Sequence, residues 1–349
     1  MSPGSDLMQT RTLAAALSIM LAAAGPAHAE MAVGGFAPMI NFFGPDAQGI
    51  ATPSAQITGD VTMMTEPAFG VYEPHEQQIY VSDFNGQALL VYPAFARGNV
   101  APLRVLNPPV MGQTRASAPV FAHDEIGIII SNCCIATYPL HAYGDAEPYV
   151  RAIGWGGLQG SHTDLNNPLS LRYLPDTDEY VVSEYDRIVF HPRTNGYYDA
   201  PSRRITGADV ANTISLAHDP VSHHLFLLQQ APWDGTSATV HGRIAVFDDS
   251  ASGEATPLYT IEGPSSGLDL PQGYYLTGIG HDPYLHRLMA ASYANSGDPA
   301  HNRVVVFRDD AIGDATPVQL VEGTGVGASY TGTPFAVPPE AIFANGFDQ

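Results

Sequence analysis

Oxygen-bearing side chains gather in short Gly- and Pro-punctuated stretches of this 349-residue chain. Glu66, Asn167 and Asn212 each stand just ahead of an apolar run, and Asp83, Asn85, Glu184, Asp186 and Asp234 just behind one. Carboxylate and amide oxygens of this kind suit a hard cation such as Ca²⁺ or a polar ligand. Tight turns select the same residue types for purely local reasons. Trp233, beside Asp234, offers a platform for a ligand or a cover for the core. A second set is Tyr72, His123, Tyr173, His218 and His281. Its imidazoles suit a transition metal or proton transfer, and equally packing with the polar tip near solvent. The two cysteines, Cys133 and Cys134, are adjacent. They read as buried inert thiols or as a vicinal disulfide stiffening a loop. Nucleotide signatures are absent: there is no P-loop. There is no Lys, which excludes a Schiff-base or general-base lysine mechanism.

These residues form one site only if the chain brings them to one place, and an internal repeat does that. A segment recurs six times, starting at Ile40, Leu89, Ile135, Ile188, Ile244 and Val304, with copies about 46 to 60 residues apart. Counted from its first residue, each copy has a proline at one offset: Pro53, Pro102, Pro148, Pro201, Pro257 and Pro317. A glycine precedes it in Gly49, Gly98, Gly144, Gly253 and Gly313, while Gly196 sits one place early. The fourth position is aromatic or His: Phe43, Tyr92, Tyr138, His191, Phe247 and Phe307. An apolar run, a glycine turn and a proline opening a short second strand describe a hairpin at the outer edge of a sheet.

Each interval holds two further strands, as in Phe69–Pro74 and Gln78–Phe84. The unit is a four-stranded antiparallel blade, and the chain is predicted to be all-β, a six-bladed β-propeller. Inner strands carry the aligned triplets Gly70-Val71-Tyr72, Phe121-Ala122-His123, Leu171-Arg172-Tyr173, Leu216-Ala217-His218, Ile279-Gly280-His281 and Phe335-Ala336-Val337. The last lies beyond the final hairpin. The C-terminal segment therefore supplies the inner strand of a blade whose outer strands come from Met31–Ile57, which closes the ring. Five blades is the competing count, if the Phe335 segment is not a strand. In this frame Glu66, Asn167 and Asn212 enter inner strands, and Asp83, Asn85, Glu184, Asp186 and Asp234 belong to loops at the same end of the channel.

Arg11, the apolar Leu13–Ala24 run and Ala27-His28-Ala29 read as a secretory leader cleaved before Glu30. Residues 1–29 are thus expected to be a signal peptide, 30–340 a single propeller domain and 341–349 a tail, with the mature protein periplasmic or secreted. No other run is long enough for a transmembrane segment. The formal net charge of −21 disfavours nucleic acid and anionic membranes as partners.

The stretch from Gln78 to Tyr92, with Val81-Ser82-Asp83, the Asn85 turn and the Ala88–Tyr92 strand, resembles an NHL-type repeat. With the Ala96–Leu106 continuation, the chain is similar to exported bacterial NHL-like propellers, which implies a binding or scaffolding module. It also resembles, more distantly, the gluconolactonase-like propeller hydrolases. That resemblance implies a divalent cation near the channel, held here by Glu66, Asn167 and Asn212, with no fourth ligand identified. The stretch Ile342–Asp348 resembles a short tail of exported proteobacterial proteins, a sorting signal or a disordered end. The leading expectation is a binding protein with no cofactor, recognising a small molecule or protein at the channel rim. The alternative is a metal-dependent lactonase or ester hydrolase. A surface protein presented through its tail is the third reading.

Overall fold

The computed structural model describes residues 28–107, 118–130, 134–146, 149–153, 162–231, 239–295, 302–327 and 330–339. They form six four-stranded antiparallel sheets arranged as a six-bladed β-propeller. Named from the axis outward, blade 2 is Pro67–Glu73, Gln78–Asp83, Ala88–Pro93 and Arg104–Leu106. Blade 3 is Val120–Ala122, Glu125–Ile130, Cys134–Pro139 and Tyr149–Ile153. Blade 4 is Ser170–Leu174, Glu179–Glu184, Arg187–Pro192 and Arg203–Ile205. Blade 5 is Thr213–Asp219, His224–Gln230, Gly242–Asp248 and Tyr259–Ile261. Blade 6 is Tyr274–Asp282, Arg287–Ala294, Arg303–Arg308 and Gln319–Glu322. Blade 1 joins the two ends of the chain: Phe335–Val337 pairs with Glu30–Val33, followed by Met39–Phe43 and Ala55–Thr58.

Blades stack face to face, so their middle strands are buried on both sides and read as unbroken apolar runs rather than alternating ones. The core is accordingly distributed. Among the described residues six apolar clusters lie one at each junction between blades, for example Phe42 and Ile57 of blade 1 against Ile79 and Leu90 of blade 2. The repeated fourth-position residues Phe43, Tyr92, Tyr138, His191, Phe247 and Phe307 are all buried in this stack.

The repeated glycines do more than turn the chain. Gly98 has φ 75°, which an L side chain resists. Its N–H donates to Gln56 O at 2.6 Å and its carbonyl accepts from Thr58 N at 3.1 Å, both on the outer strand of blade 1. Gly49, Gly144, Gly253 and Gly313 make the same pair of bonds to the blade before. The outer rim is thus stitched at five junctions. Gly196, the displaced copy, instead bonds Asp199 Oδ2 through its N–H. The repeated prolines do not open the outer strands as expected. Pro53, Pro102, Pro201, Pro257 and Pro317 each stand two residues earlier, because the following residue makes the first bond to the third strand, as Leu103 N does to Val91 O. The ladder needs no donor from the proline.

Candidate functional site

At the entry end of the channel, two of the residues expected to form a rim, Asp83 and Glu184, are committed to backbone N–H groups. Asp83, buried at the end of its strand, accepts Thr65 N and Oγ1, Glu66 N and Gly86 N at 2.6 to 3.2 Å. Glu184 repeats the device in blade 4, accepting Asn166 N at 3.1 Å and Asn167 N at 2.8 Å. Burial outweighs those two bonds and pushes the Glu184 carboxyl up to about 7. In blade 5 the amide of Gln229 takes the same place, donating to Asp209 O and Ala211 O. In blades 2, 4 and 5 a side chain at or next to the end of the second strand therefore holds the loop that enters the inner strand. Asp186 is exposed and pairs with Arg187 at 2.9 Å, and Asn85 is exposed.

Glu66 is half-buried, its carboxyl raised first by burial and then by the neighbouring Asp83 charge. Asn212 holds φ 63° and faces a side groove of about 330 Å³ with Asp209, Gln229 and Arg243, a groove that Glu66 and Asn167 do not line. Trp233 and Asp234 lie outside the described residues, as do the leader run Leu13–Ala24 and the tail 341–349. Cys134 is disulfide-bonded, and the only other cysteine of the chain, Cys133, lies outside the described residues.

The opposite end of the channel opens into a cavity of about 770 Å³ where inner strands finish. All six blades contribute to it, through Phe335, Tyr72, His123, Tyr173, His218 and His281. Local sequence sets these positions. Asp219, Asp282 and Glu73 end their inner strands by accepting backbone N–H groups two and three residues on, which caps each turn into the second strand.

His218 and His281 are nearly enclosed, with 6% of each side chain exposed. His218 Nε2 meets Asp249 Oδ2 at 3.0 Å and His281 Nε2 meets Asp309 Oδ2 at 3.2 Å. His223 and His286 approach the same carboxylates at 3.4 Å, so each aspartate holds two imidazoles. His281 also stacks on Phe226 of the neighbouring blade, with centroids 5.8 Å apart. Tyr173 donates to Asp178 at 2.8 Å, which is itself bound by Arg193 at 2.7 Å. This column packs blade on blade and keeps its polar edges at the cavity wall. Asp219, His281 and Asp309 bring one ligand atom each within 4.8 Å of one another. Asp219 is already engaged by Val221 N, Ser222 N and Ser222 Oγ, and Asp309 by His281.

Arg172 is the residue that the sequence reading passed over. It sits on the inner strand of blade 4, lines the cavity, and also lines the constriction of about 10 Å³ deeper in the channel. Nη1 donates to Leu171 O at 2.6 Å, and Nη2 reaches across to Ile279 O of blade 6 at 3.2 Å. Protein encloses it, while the cavity itself leaves part of its surface open. Burial alone lowers its pKa to about 10. The signal was in the inner-strand triplets, whose middle residues are Val71, Ala122, Arg172, Ala217, Gly280 and Ala336. One long cation stands among small or apolar residues.

These features define a six-bladed β-propeller with a cavity at one end of its channel. No family model matches the chain, and no curated protein does. Among solved structures, a chain from the crystal structure of a nidogen/laminin complex is similar, with a TM-score of 0.56 and 9% identity over 88% of this chain and 98% of that one. Hydrazine synthase of Kuenenia stuttgartiensis gives a TM-score of 0.42 and 9% identity over 72% of this chain and 64% of that one. At such identity the likeness to the nidogen/laminin chain extends to the fold alone.

Proposed function

We propose that this chain is an exported binding module that takes its ligand into the cavity at the far end of the channel. One observation carries the reading: a cavity of about 770 Å³ receives side chains from every blade. Concave, mostly apolar space with a few convergent polar groups is the usual form of a ligand site. Asp83 and Glu184, by contrast, hold backbone N–H groups, which leaves them little capacity for a cation. Export rests on the Leu13–Ala24 leader.

A thermal-shift screen of small molecules on the purified protein tests the proposal. Compounds that stabilise the protein should lose their effect in Tyr173→Ala and His123→Ala, which remove two walls of the cavity mouth. They should keep it in Tyr275→Ala at the entry end, where Tyr275 is exposed. Sensitivity to the Tyr275 variant alone would move the site to the other face and overturn the reading. Hydrolysis of lactones or esters that depends on added Ca²⁺ and is lost in Glu66→Gln would favour the hydrolase instead.

A further inference from the structure

We infer that the channel ligand is an organic anion: a carboxylate or phosphate on an apolar body, with its charged end on Arg172. The inference rests on the channel reading above and specifies what the channel would take.

Arg172 is an enclosed cation for which no carboxylate is provided. Its two hydrogen bonds go to the backbone carbonyls of Leu171 and Ile279, and among the described residues no acidic side chain bonds to it. Carboxylates are plentiful in the molecule, which carries 35 acidic residues against 14 basic ones. Arg97 has Glu30 at 2.6 Å, Arg203 has Glu179 at 2.9 Å and Arg193 has Asp178 at 2.7 Å. Arg287 and Arg303 also bond only carbonyl oxygens, but Asp282 and Glu322 face them across their strand pairs, and neither lines the cavity. A desolvated charge left without a counter-charge is costly, and an arriving anion offsets that cost.

Position specifies the rest. Arg172, Ala118 and Thr333 line both the cavity and the constriction, so the guanidinium marks the floor. A fork of five N–H groups with two engaged keeps donors for an oxyanion. Above it the walls are Val71, Val120, Phe121, Leu140 and Phe335, which suit an aliphatic or aromatic body. The two carboxylates of the lining, Glu73 and Asp124, do not reach the constriction that Arg172 lines. Glu73 is held by His75 N and Glu76 N in its turn, and Asp124 is exposed at the mouth.

The test compares benzoate, phenyl phosphate and benzamide by calorimetry and thermal shift at constant ionic strength, on the full chain and on Arg172→Gln. Benzoate or phenyl phosphate should bind and raise Tm, with benzamide at least roughly 10-fold weaker, since charge-assisted bonds are about twice as strong as neutral ones. Arg172→Gln should lower anion affinity roughly 10- to 100-fold. Unliganded, it should melt no lower than the parent, because a buried charge has been removed. Which of the two anions binds identifies the head group. Equal affinity for benzoate and benzamide, or unchanged affinity in Arg172→Gln, would overturn the inference while leaving a channel-binding module intact. Loss of every channel-dependent compound in the screen would remove both. If Arg172→Gln fails to fold, the acid-against-amide comparison on the parent protein still decides.

Discussion

His191 and Glu184 should act in opposite directions on the acid stability of this propeller, and replacing either should expose the other. His191 fills the place that aromatic side chains take in five of the six blades, and it is fully buried. Nε2 lies 2.8 Å from Thr163 O, and Nδ1 lies 3.2 Å from Asn195 Nδ2, whose amide also donates to Ala200 O at 2.9 Å. The ring is thus held neutral, with its proton on Nε2 and an N–H aimed at Nδ1. Burial is the main cause of a pKa near 4 in place of the ordinary 6.5. As pH falls below 6.5 the unfolded chain takes up this proton first, so stability drops between about 6.5 and 4, by about 3 kcal/mol.

Glu184 is raised from 4.5 to about 7. Its native carboxyl keeps a proton that the unfolded chain releases, so its contribution is present at low pH and is lost as pH rises from 4.5 to about 7, again by about 3 kcal/mol. The two slopes oppose each other where the windows overlap. Urea unfolding followed by circular dichroism at pH 4.5, 5.5, 6.5 and 7.5 reads both. Relative to the parent, His191→Phe should gain stability steadily toward pH 4.5, and Glu184→Gln should gain it toward pH 7.5. A His191→Phe difference that stays constant across these four values would refute the argument that this imidazole is held neutral.

The remaining expectations concern the frame. Gly98→Ala meets no atom at its new Cβ, so its cost should be the left-handed backbone alone, about 1–2 kcal/mol in urea unfolding. Gly70→Ala should cost about 1–3 kcal/mol for a different reason: its Cβ would lie 2.2 Å from Phe335 Cε1, and Phe335→Leu should recover part of the loss in a double-mutant cycle. Asp83→Ala orphans several loop donors and should cost about 1–3 kcal/mol, with no response to added Ca²⁺. Truncation after Pro334 removes Phe335 and Val337 from blade 1 and should cost at least about 3 kcal/mol, read as a lower urea midpoint and faster proteolysis.

The fold was legible because its repeated residues answer to backbone rules. Gly49, Gly98, Gly144, Gly253 and Gly313 all take positive φ, and their offset survives whatever the neighbouring side chains do. Ring closure was legible because the Phe335 triplet had no hairpin of its own to join. The entry-rim carboxylates were visible as residues but not in their local employment. A capping Asp83 and a ligating Asp83 have the same sequence, and only the position of Thr65 N and Glu66 N separates them. Arg172 was hidden for another reason. Its significance depends on what is missing around it in space, and periodicity does not register a missing counter-charge.

The strand register of blade 1 carries a topological consequence. Val337 lies opposite Glu30, just as Asp282 lies opposite Arg287 and Glu73 opposite Gln78, where four residues bridge the gap. Four residues laid between Val337 and Glu30 would turn the polypeptide into a continuous loop with no privileged starting blade. A loop so closed could be reopened elsewhere, and permuted chains opened between other neighbouring strands should assemble the same wheel. In the present chain order Glu30–Val33 can pair with Met39–Phe43 early, and only its other edge must wait for Phe335–Val337.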